Sequence, residues 1–471
     1  MDGNIDKFFN EEEIFKSLSK YNEMREGNKS YFFDLFEFEE IIEYYIDNED
    51  YTEAYNATCL ALKSYSFASS LKLKLAKLLT EQDRKAKALQ IIHEIETVEM
   101  YNYELFLLKG KLLSLLGNHH DAVKEYDRAI KLARENRDEV VYSIAQNFLT
   151  VGKESVAIKY LILAYEINAD NPLVLYDLAS CFERLEYYDK CIEFLLKYID
   201  IDPFSENVWF NLAVAYSEIE KNNKALEAVE FALAINPGYL SASFLKAEIL
   251  FDLGKYSEAI GVYHELLNLD PHNVRVLCCL GECFEKTGKR DKALDYFRQA
   301  RKSDNTSPEP WFGMAVVYRN NGKLNHSLIN VRKAIKLDDE NPEYWFFLGE
   351  LFELQDNPEH AMKAFSRAIE IDPSDYEAWL AYAKIYYEEN KISDAIEILN
   401  KAYQYNYDNS TLNYQLAAYH TSLHEYSLAA SYFEKGLSLN FPEHQDYINK
   451  IQGYFDKETI QNILSKYQNQ K

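Results

Sequence analysis

The chain has 471 residues, 47% of them apolar, which is enough to bury a large core and excludes a disordered polymer. Its 51 Lys and Arg face 77 Asp and Glu, a net charge of −26 that argues against a nucleic-acid backbone as ligand and for a basic partner. Six cysteines make no disulfide framework, and neither a secretory leader nor a membrane-spanning apolar run occurs, so a cytoplasmic location is expected.

In chain order, Asn10-Glu11-Glu12-Glu13 reads as a capping box opening a helix, with Ile14, Phe15, Leu18 and Tyr21 on one face. A second cap signal, Asp34-x-x-Glu37, opens the next helix. From Leu35 onward the chain repeats. Trp311, Trp345 and Trp379 stand 34 residues apart, and Trp209 stands three such periods before Trp311. With each Trp at position four of a unit, position eight is Gly or Ala everywhere except Ile42, and position twenty is always small. Gly117, Gly152, Gly254, Gly288 and Gly322 share position fifteen, where a left-handed residue closes the first helix of a unit. Asp202-Pro203, Asn236-Pro237, Asp270-Pro271 and Asp372-Pro373 stop the second. Each unit is a predicted helical hairpin, and hairpins must stack because none buries both of its faces alone. Beyond the last unit, Tyr447, Ile448, Ile451, Phe455, Ile460 and Ile463 predict one or two closing helices. The expected division is an N-terminal helical cap or arm at 1–34, twelve repeats at 35–443 with one inserted residue near Arg137, and C-terminal capping helices at 444–471.

Trp209-x-x-Leu212-Ala213-x-x-Tyr216, followed by Ala225, Ala232 and Pro237, resembles the tetratricopeptide repeat (TPR) signature. Trp345-x-x-Leu348-Gly349-x-x-Phe352, with Ala361, Phe365, Ala368 and Pro373, resembles it more fully. The first units depart from it, with Ile42 at position eight and Ser66, Met100 and Arg134 in place of the terminal proline. The resemblance implies an all-α fold, a right-handed α-solenoid of about twelve 34-residue helix-turn-helix repeats with capping helices. It also implies a concave groove faced by positions two, five, six, nine, twelve and thirteen of each unit.

No phosphate-cradling glycine loop, His-Glu-x-x-His, Gly-x-Ser-x-Gly or Cys-x-x-Cys motif occurs. Cys278, Cys279 and Cys283 are the densest thiol group, but no nearby histidine completes a metal site, and core or groove thiols are the simpler reading. No catalytic residue, metal or cofactor is expected. Position five reads Tyr176, Phe210, Phe244, Cys278, Phe312, Phe346, Leu380 and Tyr414 over the last eight units. Two readings of it stay open: a ladder gripping a peptide, or aromatic packing on the next hairpin.

The groove positions of those units carry the acids Asp177, Glu183, Glu218, Glu248, Asp252, Glu282, Glu285, Glu309, Glu343, Glu350, Glu353, Glu377 and Glu388. Their bases are only Arg184, Arg275, Lys286, Arg319 and Lys384. Either this face shares the acidity of the whole chain, or it selects a basic partner through salt-sensitive contacts. Lys74, Lys77 and Lys111 form a cationic patch, without the asparagines of a carboxylate clamp.

The functional expectation is an interaction scaffold or adaptor that takes a partner protein or peptide in an acidic, aromatic-lined groove. Its candidate residues are Tyr176, Phe210, Phe244, Phe312, Phe346, Tyr414, Glu248, Glu282, Glu350 and Glu353. An assembly chaperone for a basic, nucleic-acid-binding subunit is the alternative in the same class. An enzyme or enzyme-regulatory subunit without a recognisable motif is the alternative from another class. Direct nucleic-acid binding is not expected, and the oligomeric state is left open.

Overall fold

The computed structural model describes residues 3–27, 30–451 and 463–467, and these hold 26 helices and no strand. The first helix spans Gly3–Arg25, so Asn10 to Glu13 lie inside it and do not open it. Ile5 to Phe9 contain no Gly or Pro to halt the helix, which therefore extends further back than the cap signal suggested. Leu18 and Tyr21 are buried in one cluster with Ile41 and Ile42, whereas Phe15 is 60% exposed. The second cap forms as expected. The Glu37 amide donates to Asp34 Oδ1 at 2.8 Å, and the Asp34 amide donates to Glu37 Oε2 at 2.9 Å.

Twelve helical hairpins follow, beginning at Leu35, Ser69, Tyr103, Arg137, Pro172, Glu206, Leu240, Val274, Glu309, Pro342, Tyr376 and Ser410. The chain divides into two compact units, Met1–Gly238 and Tyr239–Lys471, with six hairpins in each. Within a unit, the second helix of each hairpin packs on the first helix of the next, so each unit is a solenoid.

Why the hairpins turn where they do is visible at position fifteen. All twelve residues there have positive φ: the five predicted glycines, and also Glu49, Asp83, Glu186, Glu220, Asp356, Asn390 and His424. The following amide reaches back five residues to the equivalent carbonyl in every hairpin, as from Asn118 to Leu113 and from Tyr187 to Phe182. Seven side chains thus hold a conformation that L-residues adopt at a cost, because the closing hydrogen bonds require it. At the other turn, six successive hairpins use an Asx turn. Asp202, Asn236, Asp270, Asp304, Asp338 and Asp372 each accept from the amide two residues ahead.

The small residues at position eight have a specific neighbour. A Cβ on Gly110, Gly281 or Gly349 would stand 2.5–2.7 Å from the ring of Tyr126, Phe297 or Phe365 at position twenty-four. Trp379 is buried, whereas Trp209, Trp311 and Trp345 are only partly so. Indole N–H groups latch the preceding turn. Trp209 donates to the Pro203 carbonyl at 2.9 Å, Trp345 to Asp339 at 2.9 Å and Trp379 to Pro373 at 3.0 Å.

The N-terminal unit contains a buried charge network. Lys109, 7% exposed, bridges Glu96 at 2.8 Å and Glu125 at 3.1 Å, and Arg128 meets Glu125 at 3.2 Å. At the far end, the helix His444–Ile451 places Tyr447 flat against Tyr414 at 5.3 Å, and Ile463 is buried in the same cluster. Phe455 and Ile460 lie outside the described residues. No helix of the described residues is long and apolar enough to cross a membrane.

Candidate functional site

The first helix of each hairpin carries the predicted groove positions, and the position-five aromatics are mostly packed. Phe312 lies against Tyr344 at 4.7 Å and Phe347 at 5.1 Å in the next hairpin. Phe346 contacts Phe365 at 5.5 Å in its own hairpin. Phe244 meets Tyr263 at 5.7 Å and is covered by the Arg275 guanidinium at 4.0 Å. Phe210 is half-buried. Tyr414 is a correction: it is fully buried, with its hydroxyl donating to the Asn440 carbonyl at 2.8 Å, because the closing helix covers it. Tyr176 is the most exposed of these six, at 36%, and its hydroxyl accepts from Asn211 at 3.4 Å.

The acids divide into two groups. Three of the four candidate glutamates are tied to a base on an adjacent hairpin: Glu248 to Arg275 at 2.7 Å, Glu350 to Arg319 at 2.6 Å and Glu353 to Lys384 at 3.1 Å. Glu282 differs. Burial raises its carboxyl pKa, and the charge of Glu343 raises it further. Burial likewise raises Glu343, Asp252, Glu183 and Asp177, the last against hydrogen bonds from Tyr142 and Gln146. All five stand at predicted groove positions. Glu282 and Glu343 are exposed residues, so their carboxyls remain accessible.

The cationic patch of the N-terminal unit is neutralised internally. Lys74 pairs with Glu43 at 2.6 Å, Lys77 with Glu104 at 2.7 Å and Lys111 with Glu81 at 3.2 Å. These pairs rim a recess of about 610 Å³. The thiols are core groups: burial pushes Cys279 and Cys283 up to about 12 and Cys278 higher, and none of the six cysteines is in a disulfide. No cluster of metal-ligating side chains occurs among the described residues.

Two recesses of about 760 and 600 Å³ open on hairpins nine to twelve, and both include Lys384 and Glu388 in their lining. Glu350 and Glu353 border the first. The second is faced by Tyr387, stacked on Tyr419 at 4.4 Å with rings 8° apart. Sequence reasoning missed this pair. Tyr387 occupies position twelve, a groove position, but only charged residues were weighed there.

Two family models match the chain: one described as tetratricopeptide repeat over residues 60–328, and one described as cilia and flagella-associated protein 70 C-terminal domain over 237–449. No curated protein matches it. Among solved structures it is similar to yeast Tom70, at 16% identity and TM-score 0.50, over 92% of this chain and 98% of that one. It is also similar to a tetratricopeptide repeat protein from Parabacteroides merdae ATCC 43184, at 18% identity and TM-score 0.48, over 53% and 98% of the two chains. The repeat period, the uniform hairpin closure and the matching model over more than half of the chain lead to one conclusion: this chain belongs to the tetratricopeptide repeat family.

Proposed function

We propose that this chain is a protein-binding scaffold or adaptor, not an enzyme, and that its first helices take a basic segment of a partner protein. The observation that carries this reading is the set of accessible groove carboxyls without a salt bridge among the described residues, Glu282 and Glu343 above all. The charge of Glu343 adds to burial in raising Glu282, Lys286 offsets this only in part, and a partner's lysine or arginine would relieve that repulsion. The ion-paired glutamates Glu248, Glu350 and Glu353 set the spacing of the hairpins instead. The same proposal places the chain in the cytoplasm, where its six free cysteines stay reduced.

Affinity capture from native lysate tests it, with wild type and a Glu282→Gln/Glu343→Gln variant as baits. A partner held by the wild type, released by salt and lost by the variant supports the reading. A partner held equally by both baits moves recognition off these carboxyls. The aromatic ladder is a poorer target, since Phe244, Phe312 and Phe346 pack on neighbouring rings and their removal would loosen the hairpins.

A further inference from the structure

We infer that the two adjoining recesses on hairpins nine to twelve form one docking site for a partner segment that carries an arginine beside an apolar side chain. This rests on the scaffold reading and names both the place and the chemistry.

The two halves of the site differ in character. One half is bordered by Glu350, Glu353, Asp356, Glu388 and Glu389 against only two cations, Arg319 and Lys384. Arg319 is held by Glu350 at 2.6 Å. Lys384 is divided between Glu353 at 3.1 Å and Glu388 at 3.8 Å. Glu389 is paired outside the lining with Lys391 at 2.7 Å, yet Asp356 and Glu388 still leave the lining net negative, and an incoming cation is the complementary charge. The other half is more apolar. Leu380, Ala381 and Ala418 line it beside Gln415 and Ser422, and the Tyr387 ring, backed by the buried Tyr419 ring, forms one wall. Tyr387 is 37% exposed, so its ring is available to a ligand.

Glu388 belongs to both halves, next to Tyr387 in the sequence. A guanidinium suits that junction better than an ammonium. Its plane stacks on an aromatic ring while its fork of N–H groups meets carboxylate oxygens. The neighbouring apolar side chain of the partner then enters the space over Ala381 and Ala418 and displaces water from it.

The test uses the full chain and three short fluorescent peptides in an anisotropy titration: Arg alternating with Leu, Arg alternating with Ser, and Glu alternating with Leu. The Arg–Leu peptide is expected to bind about tenfold or more tighter than either other peptide, a difference of about 1.4 kcal/mol. Ala381→Leu fills the apolar half, and Tyr387→Ser removes the exposed ring. Each should weaken the Arg–Leu peptide several-fold, Ala381→Leu with an unchanged melting curve and Tyr387→Ser with a lowered one because it gives up the stacking on Tyr419, and Glu388→Gln should flatten the salt dependence. Equal binding of the Arg–Leu and Arg–Ser peptides, or no binding of any peptide, overturns the inference. So does binding that Ala381→Leu and Tyr387→Ser leave intact. If that surviving binding is lost in Glu282→Gln/Glu343→Gln, this site fails while the acidic-groove reading stands.

Discussion

The two units are built from the same hairpin yet handle charge in different ways. In the N-terminal unit the lysines at groove positions are consumed by glutamates of neighbouring hairpins, and Lys109 is buried between two more. In the C-terminal unit the few bases tie down Glu248, Glu350 and Glu353, and Glu282 feels the charge of Glu343 with only partial relief from Lys286. Charge pairs serve cohesion in the first unit. In the second, an excess of one sign remains for a partner. A single repeat frame can therefore carry a self-satisfied surface and a receptive one, according to which positions receive lysine.

The largest effect that would sharpen this contrast is in the N-terminal unit. Lys109→Ala leaves Glu96 and Glu125 facing each other in a buried site, and should destabilise by about 3–5 kcal/mol in chemical denaturation. A loss below 1 kcal/mol would show that water reaches the network. Next comes a purely steric test in the C-terminal unit. Gly349→Ala drives a Cβ to 2.5 Å from the Phe365 ring and should cost about 1–3 kcal/mol despite the better helix propensity of alanine. Neutral behaviour would mean that the ring can shift aside.

A reciprocal pair of turn variants compares the units directly. Glu220→Gly at φ 57° should stabilise the N-terminal unit by about 0.5–1 kcal/mol, the left-handed cost relieved less the added glycine entropy. Gly254→Ala at φ 71° should destabilise the C-terminal unit by about 1 kcal/mol. Equal melting temperatures in both variants would refute the turn argument.

The smallest effect is in pH. A carboxyl with a raised folded-state pKa adds stability below its ordinary range, and that stability is lost as pH rises through the folded value. Glu282→Gln/Glu343→Gln should therefore raise the melting temperature at pH 7 and leave it unchanged at pH 4. Asp304 and Asp372 have the opposite sign. Thr306 and Ser374 hydrogen-bond them and lower their pKa, so their contribution is present at neutral pH and disappears in acid. The glutamine variant thus tests a trade in which a more stable chain binds its partner less well.

Much of this architecture was legible in the residue pattern. A period of 34, glycines at position fifteen and Asp-Pro stops encode local backbone geometry, and local geometry repeats wherever its short-range causes repeat. Sequence reasoning likewise assigned Glu282 and Glu343 to groove positions of first helices. What it left open was resolved by neighbours distant in the chain. Phe312 packs because Tyr344 and Phe347 of the next hairpin come to it, and Tyr414 is buried because the closing helix lies over it. Whether a glutamate is neutralised or left charged depends on a base some thirty residues away, as Glu350 on Arg319 and Glu353 on Lys384. The sequence by itself determined the hairpin and its repetition, because those rest on short-range backbone preferences. Only the tertiary structure decided which groove residues pack, which pair and which remain available, because that balance is struck between side chains of stacked hairpins.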